Sequence, residues 1–98
     1  MTIEKREEVI NLYDTYKNLL TDKQQFYFEE YYFDDLSISE IASNHNVSRN
    51  AVFDQLKRVI LNLNEYESKL GIISKIQKVE ILNISEEIKI EILDILKG

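Results

Sequence analysis

The stretch LSISEIASNHNVSRNAVFDQLKR, from Leu36 to Arg58, leaves a folding chain few choices. It holds two helix start signals so close together that the first helix must end, and the chain reverse, within a few residues. Ser37 and Glu40 form an S-x-x-E capping box, in which the serine oxygen accepts an orphan N–H of the first turn while the glutamate reaches back to the cap. Leu36 and Ile41 flank that cap at the staple positions. Ser48 opens a second helix in the same manner, with Val47 and Val52 as its staple. Between the two, Asn44-His45-Asn46 offers residues that tolerate a left-handed backbone, which a turn this short requires. The spacing predicts a helix-turn-helix, with small Ala42 where the helices cross and Ile41, Val47, Val52 and Leu56 on the packed side.

In such a motif the second helix presents its first turns to base edges in the major groove. Here those turns carry Arg49, Asn50, Phe53 and Asp54 as candidate base readers. Arginine bonds guanine in bidentate fashion, asparagine does so with adenine, and an exposed phenylalanine touches a thymine methyl. Ser48, Lys57 and Arg58 are placed for phosphate, together with the N-terminus of the helix. The same pattern also fits a plain helical hairpin, or a helix-turn-helix reused for protein contact.

Charge bears on that choice. The chain has 98 residues and a net charge of −6, whereas phosphate attraction supplies most non-specific DNA affinity. The acid is unevenly spread: residues 1–36 hold four Lys/Arg against nine Asp/Glu (−5), residues 37–62 three against two (+1), and residues 63–98 five against seven (−2). The reading head therefore escapes most of the acid, yet +1 is a small footprint for a nucleic-acid binder. A dimer that doubles the contact would compensate.

The length suits one small domain with a single core. With no proline and two glycines, Gly71 and Gly98, there is no linker composition and helix is expected nearly throughout. The absence of cysteine excludes disulfides and thiolate chemistry and fits a reducing, cytoplasmic setting. MTIEKREEVI does not read as a signal peptide, and no apolar run approaches membrane-spanning length, so no membrane insertion is expected. Enzyme chemistry lacks its usual marks: there is no Gly-rich phosphate loop, no nucleophile paired with a base and no metal-ligand spacing, hence no cofactor or metal is expected.

Thr2 is placed to cap a first helix whose early turns hold Glu4, Glu7 and Glu8. Val9, Leu12, Tyr13, Tyr16, Leu19 and Leu20 recur at helical spacing and mark its buried face. Thr21 and Gln24 form a second capping box, starting the next helix at Asp22 or Lys23. That helix carries Phe26, Tyr27, Phe28, Tyr31, Tyr32 and Phe33, too many rings for one face. Some should pack under the helix-turn-helix, leaving others, Tyr27 and Tyr31 among them, at the surface or in an interface. A stacking platform for single-stranded bases would need a basic groove, and here Glu29, Glu30, Asp34 and Asp35 surround the rings. The adjacent Glu29 and Glu30 point to different sides of one helix and read as a solvated face, not as acid–base chemistry. His45, the lone histidine, reads as a partly packed ring.

After Arg58 the second helix of the motif does not stop. Val52, Leu56, Val59, Leu63, Tyr66 and Leu70 form a heptad-like seam that Gly71 ends as a C′ residue. Such a helix outgrows a small bundle, and its far half must be covered by the first helix, the C-terminal segment or a second copy. From Ile72 onward the chain is rich in isoleucine. A break at Asn83-Ile84-Ser85 leaves Ser85 to cap a last helix opening with Glu86 and Glu87. The division expected is a helix-turn-helix domain over 1–71 and a C-terminal helical segment over 72–98. That segment either packs on the long helix, forms a dimer interface or docks another protein.

LTDKQQFYFEEYYFDDLSISEIASNHNVSRNAVFDQLKR resembles the YlxM-like family of small bacterial helix-turn-helix proteins. Members carry an L-T-x-K-Q segment, an aromatic helix ending Y-Y-x-D-D-L-S and an N-V-S-R-x-A-V-x-D recognition start. The resemblance runs from about Tyr13 to Leu70. The motif is also similar to region 4 of sigma factors, which implies an all-α, wing-free bundle with one long recognition helix that binds double-stranded DNA at promoters, as a transcription regulator. Family genes lie beside those of the signal recognition particle, which implies a second possibility, a protein- or RNA-contacting module of that system. This chain departs from the family at His45, which replaces an apolar residue and is expected to loosen the turn, and at Asn50, which replaces a common glutamine. The expected protein is an all-α homodimer of about six helices that binds DNA.

Overall fold

The structure is a computed structural model that describes residues 3–98, with side chains from Lys5 onward. It is all-α: α1 spans Ile3–Tyr16, α2 Asp22–Tyr32, α3 Ile38–His45, α4 Arg49–Leu70, α5 Ile72–Glu80 and α6 Glu86–Lys97. The Thr2 cap lies outside the described residues. No described helix is long and apolar enough to cross a membrane.

The local start and stop signals set these boundaries. Thr21 and Gln24 exchange both bonds of a capping box at the head of α2, and Ser37 and Glu40 do the same at α3. Ser48 accepts from Ala51 N at 3.0 Å to open α4, and Ser85 accepts from Ile88 N at 3.3 Å to open α6. Gly71 ends α4 with φ 63°, a left-handed conformation that glycine adopts without steric cost.

Helix α1 ends earlier than its apolar period suggests. Its last turn tightens into a 3₁₀ turn over Lys17–Leu19, which rotates Leu19 off the buried face and leaves it 53 % exposed.

Two apolar clusters share α2 and α4. Val9, Tyr13, Tyr16 and Leu20 from the α1 side meet Phe28, Tyr32, Val59 and Leu63 in the first. Tyr27, Ile41, Ala42, Val52 and Leu56 form the second, beneath the helix-turn-helix, with Leu36 and Val47 packed against it. Helix α2 can serve both because its rings point to opposite sides. Tyr27 is fully buried here, not at the surface as its sequence suggests; the exposed rings of α2 and its C-terminal end are Phe26 and Phe33, while Tyr31 is half-buried. Tyr13 stacks on Phe28 with centroids 4.0 Å apart, and Phe28 stacks on Tyr32 at 4.4 Å.

Arg6 ties α1 to the end of α2. Its guanidinium donates to the Tyr32 carbonyl and lies over the Tyr32 ring, 5.4 Å from the centroid. A cation there complements the negative end of the helix. The chain then leaves α2 through Asp35, at φ 55°.

The near half of the α4 seam is covered by α1, α2 and α3, and Leu70 at its far end is 45 % exposed. Helices α5 and α6 form a hairpin, and α5 also touches α1. No residue of either helix is buried. The molecule is accordingly elongated, 51 × 24 × 20 Å.

Candidate nucleic-acid interface

The turn of the motif is built by backbone bonds. Asn46 takes a left-handed conformation at φ 54°, and the next N–H, that of Val47, donates back to the Ala42 carbonyl at 3.0 Å. Asparagine tolerates this region better than most residues. The reversal puts Ile41 and Ala42 of α3 against Val52 and Leu56 of α4, all with at most 6 % exposure.

His45 is a partly packed ring at this turn, held from two sides. Its Nε2 donates to Glu30 Oε2 at 2.8 Å, and its ring stands edge-on to Tyr27, 4.8 Å away with an interplanar angle of 82°. The motif is thereby pinned to α2. Glu29 is likewise engaged, accepting from the Tyr13 hydroxyl. The two carboxylates diverge to different sides of α2, as expected, but each holds a neighbour and is not merely solvated. Burial first, then the hydrogen bond to Glu29, pushes the Tyr13 phenol above its ordinary range.

With Val52, Leu56 and Val59 turned inward, the 100° step of a helix throws Arg49, Asn50, Phe53, Asp54, Lys57 and Arg58 onto the outer arc. All six are exposed, and Phe53 retains 54 % of its surface. From Ser48 to Arg58 the arc is about 15 Å long at 1.5 Å per residue, comparable with a major groove about 12 Å wide. Among the described residues, the side chains of Arg49, Asn50, Asp54, Lys57 and Arg58 make no hydrogen bond or ion pair with the rest of the chain. Asp54 stands one turn before Lys57 and Arg58 and pairs with neither. The oxygen of Ser48 is committed to Ala51 N, which leaves its hydroxyl hydrogen to donate. Leu61, 62 % exposed, extends the arc by a further turn.

The residues that orient this face were not marked in the sequence as functional. Glu30 and Arg6 act across 15 and 26 positions. The one local hint was His45 itself, a polar ring where the motif ordinarily packs an apolar side chain. No described group of three or more His, Cys, Asp or Glu side chains is arranged to hold a metal ion.

Residues 3–95 match the family model described as "Putative helix-turn-helix protein, YlxM / p13 like", UPF0122. The chain belongs to this family. The UPF0122 protein of Bacillus licheniformis is 46 % identical over 78 residues, covering 80 % of this chain and 73 % of the relative. That of Geobacillus sp. is 49 % identical over 76 residues, 78 % of this chain and 69 % of the relative. A UPF0122 protein of Bacillus thuringiensis is 47 % identical over 76 residues. The UPF0122 match takes in the helix-turn-helix and runs past α4 through α5 into α6.

Proposed function

We propose that this protein is a non-enzymatic, DNA-binding transcription regulator that inserts the first turns of α4 into the major groove. The observation that carries the reading is the outer arc of α4: two arginines, a lysine, an asparagine and a phenylalanine, exposed together and unclaimed by the chain. Arg49 and Asn50 read purine edges, Phe53 meets a thymine methyl and Asp54 accepts from cytosine. Ser48, Lys57 and Arg58 hold phosphate and set the register.

The active species is a homodimer formed through the C-terminal hairpin, residues 72–98. Ile81, Leu82, Ile88, Ile90 and Ile95 are 46–83 % exposed there, and Ile88, Ile92 and Ile95 fall on one stripe of α6 at helical spacing. A two-fold dimer also doubles the small positive footprint of each reading head, and it favours half-sites about one turn of DNA apart.

The net charge of −6 opposes any polyanion, RNA as much as DNA, and so favours a second reading in which the chain contacts a protein component of the signal recognition particle system. One selection separates the two. The full chain is incubated with fragmented DNA from its own organism, with Arg49→Ala as control and signal recognition particle RNA as competitor. Enrichment of particular fragments, abolished by the substitution, supports the regulator. Absence of DNA enrichment, or binding indifferent to Arg49 and captured by the RNA, overturns it.

A further inference from the structure

Helix α5 starts without a capping side chain. Its N-cap is Gly71, so the N–H groups of Ile72, Ile73 and Ser74 have no local acceptor side chain. Residues from two other helices take them. Tyr16 Oη accepts from Ile72 N at 3.1 Å, Glu67 Oε1 from Ile73 N at 3.0 Å and Glu67 Oε2 from Ser74 N at 3.3 Å. The Tyr16 hydroxyl in turn donates to Glu67 Oε1 at 2.5 Å. Tyr16 belongs to α1 and is 2 % exposed; Glu67 belongs to α4. One phenol and one carboxylate thus join three helices, and the carboxylate also complements the positive end of α5.

This clasp matters because little else fixes the hairpin. No residue of α5 or α6 is buried, and Ile72 and Ile73 are the part of α5 packed on the main core. Half-exposed apolar contact is non-directional, whereas charge-assisted hydrogen bonds impose a direction. In a molecule 51 Å long, a small swing at the clasp moves a distant recognition helix by a distance comparable with a base-pair step of about 3.4 Å.

We propose that Tyr16 and Glu67 are positioning residues that hold the C-terminal hairpin at a fixed angle to the reading head, and so set the half-site spacing the dimer accepts. The inference rests on the dimeric DNA-binding reading above and adds to it the element that fixes its geometry.

The test uses the full chain, a library of inverted half-sites with spacers of varied length, and backbone amide exchange. Tyr16→Phe keeps the ring and removes the hydroxyl; Glu67→Ala removes the carboxylate; Glu67→Gln retains one acceptor oxygen. Wild type is expected to select one spacer length. Tyr16→Phe and Glu67→Ala are expected to accept neighbouring spacers equally well while binding a single half-site as wild type does. In both variants the Ile72–Ser74 amides should exchange about tenfold faster or more, as loss of a charged hydrogen bond implies, with the Val59 region unchanged. Glu67→Gln should recover part of the selectivity. Variants that keep the wild-type spacer preference, or unchanged protection at Ile72–Ser74, overturn the proposal. A wild type that binds none of the duplexes removes the DNA reading itself, and the spacing role with it, whatever the exchange shows.

Discussion

Tyr16 and Tyr27 are both almost wholly buried phenols, yet only one has a place for its proton. The Tyr16 hydroxyl donates to Glu67, while Tyr27 Oη is buried with no hydrogen-bond partner among the described residues. Opposite outcomes follow for the same substitution. Tyr16→Phe is expected to cost about 2 kcal/mol, the worth of a hydrogen bond to a charged group, and Tyr27→Phe to leave stability unchanged or raise it by up to about 1 kcal/mol. Urea midpoints of the two variants decide this. Gly71→Ala is a backbone test: a Cβ there meets nothing within 4 Å, so the expected loss of about 1 kcal/mol is the left-handed conformation alone. The phenols also set an alkaline limit. Tyr13, Tyr16 and Tyr32 are all raised in the folded protein, mainly by burial. The unfolded chain therefore loses these protons first, so stability is fully present below about pH 10 and falls as the pH rises through the folded values. Glu67 works at the other end. Burial raises it, but bonds from Tyr16, Ile73 and Ser74 outweigh that and hold it low. Its contribution is present above the ordinary glutamate value and is lost as pH falls through the folded one. Unfolding midpoints measured across pH should show both declines.

The elements divide into those the sequence announces and those only the fold reveals. Caps are local, so Thr21 with Gln24, Ser37 with Glu40, Ser48, Gly71 and Ser85 were legible and bounded four helices correctly. The rings of α2 were not, because apolar residues cover most of its circumference and periodicity cannot say which side faces inward. Tyr27 went to the core and Phe26 to solvent because α3 and α4 close over the Tyr27 side. Leu19 was misplaced for a related reason: the helical period continues through it, while the backbone has already tightened into a 3₁₀ turn. Mutagenesis can check this division. Phe28, at 0 % exposure, is expected to cost about 3–5 kcal/mol when changed to alanine. Phe26→Ala should stay within about 0.5 kcal/mol of wild type. At the candidate site, the exposure of the arc from Arg49 to Arg58 was legible because it follows from one cap and one helical step. The Glu30–His45 and Tyr16–Glu67 pairs were not, since nothing local marks bonds between elements 15 and 51 positions apart.

At the scale of the whole molecule, two opposed surfaces organise the account. One end carries the outer arc of α4, and the other carries a hairpin with unburied isoleucines and no core of its own. In the proposed dimer through that hairpin, two reading heads would double the cationic contact that a single chain of net charge −6 offers DNA. Ile88→Lys combined with Ile95→Lys should then give a monomer by light scattering while leaving the helical content of the helix-turn-helix intact. The salt dependence of binding to a selected DNA fragment, for wild type, Lys57→Ala and Arg49→Ala, tests α4 as the reading helix. Affinity should fall steeply with salt; Lys57→Ala should weaken all sequences alike and flatten the slope by about one per phosphate contact removed, and Arg49→Ala should erase discrimination between sequences. Binding that is indifferent to salt and to both substitutions would contradict the assignment of α4 as the reading helix.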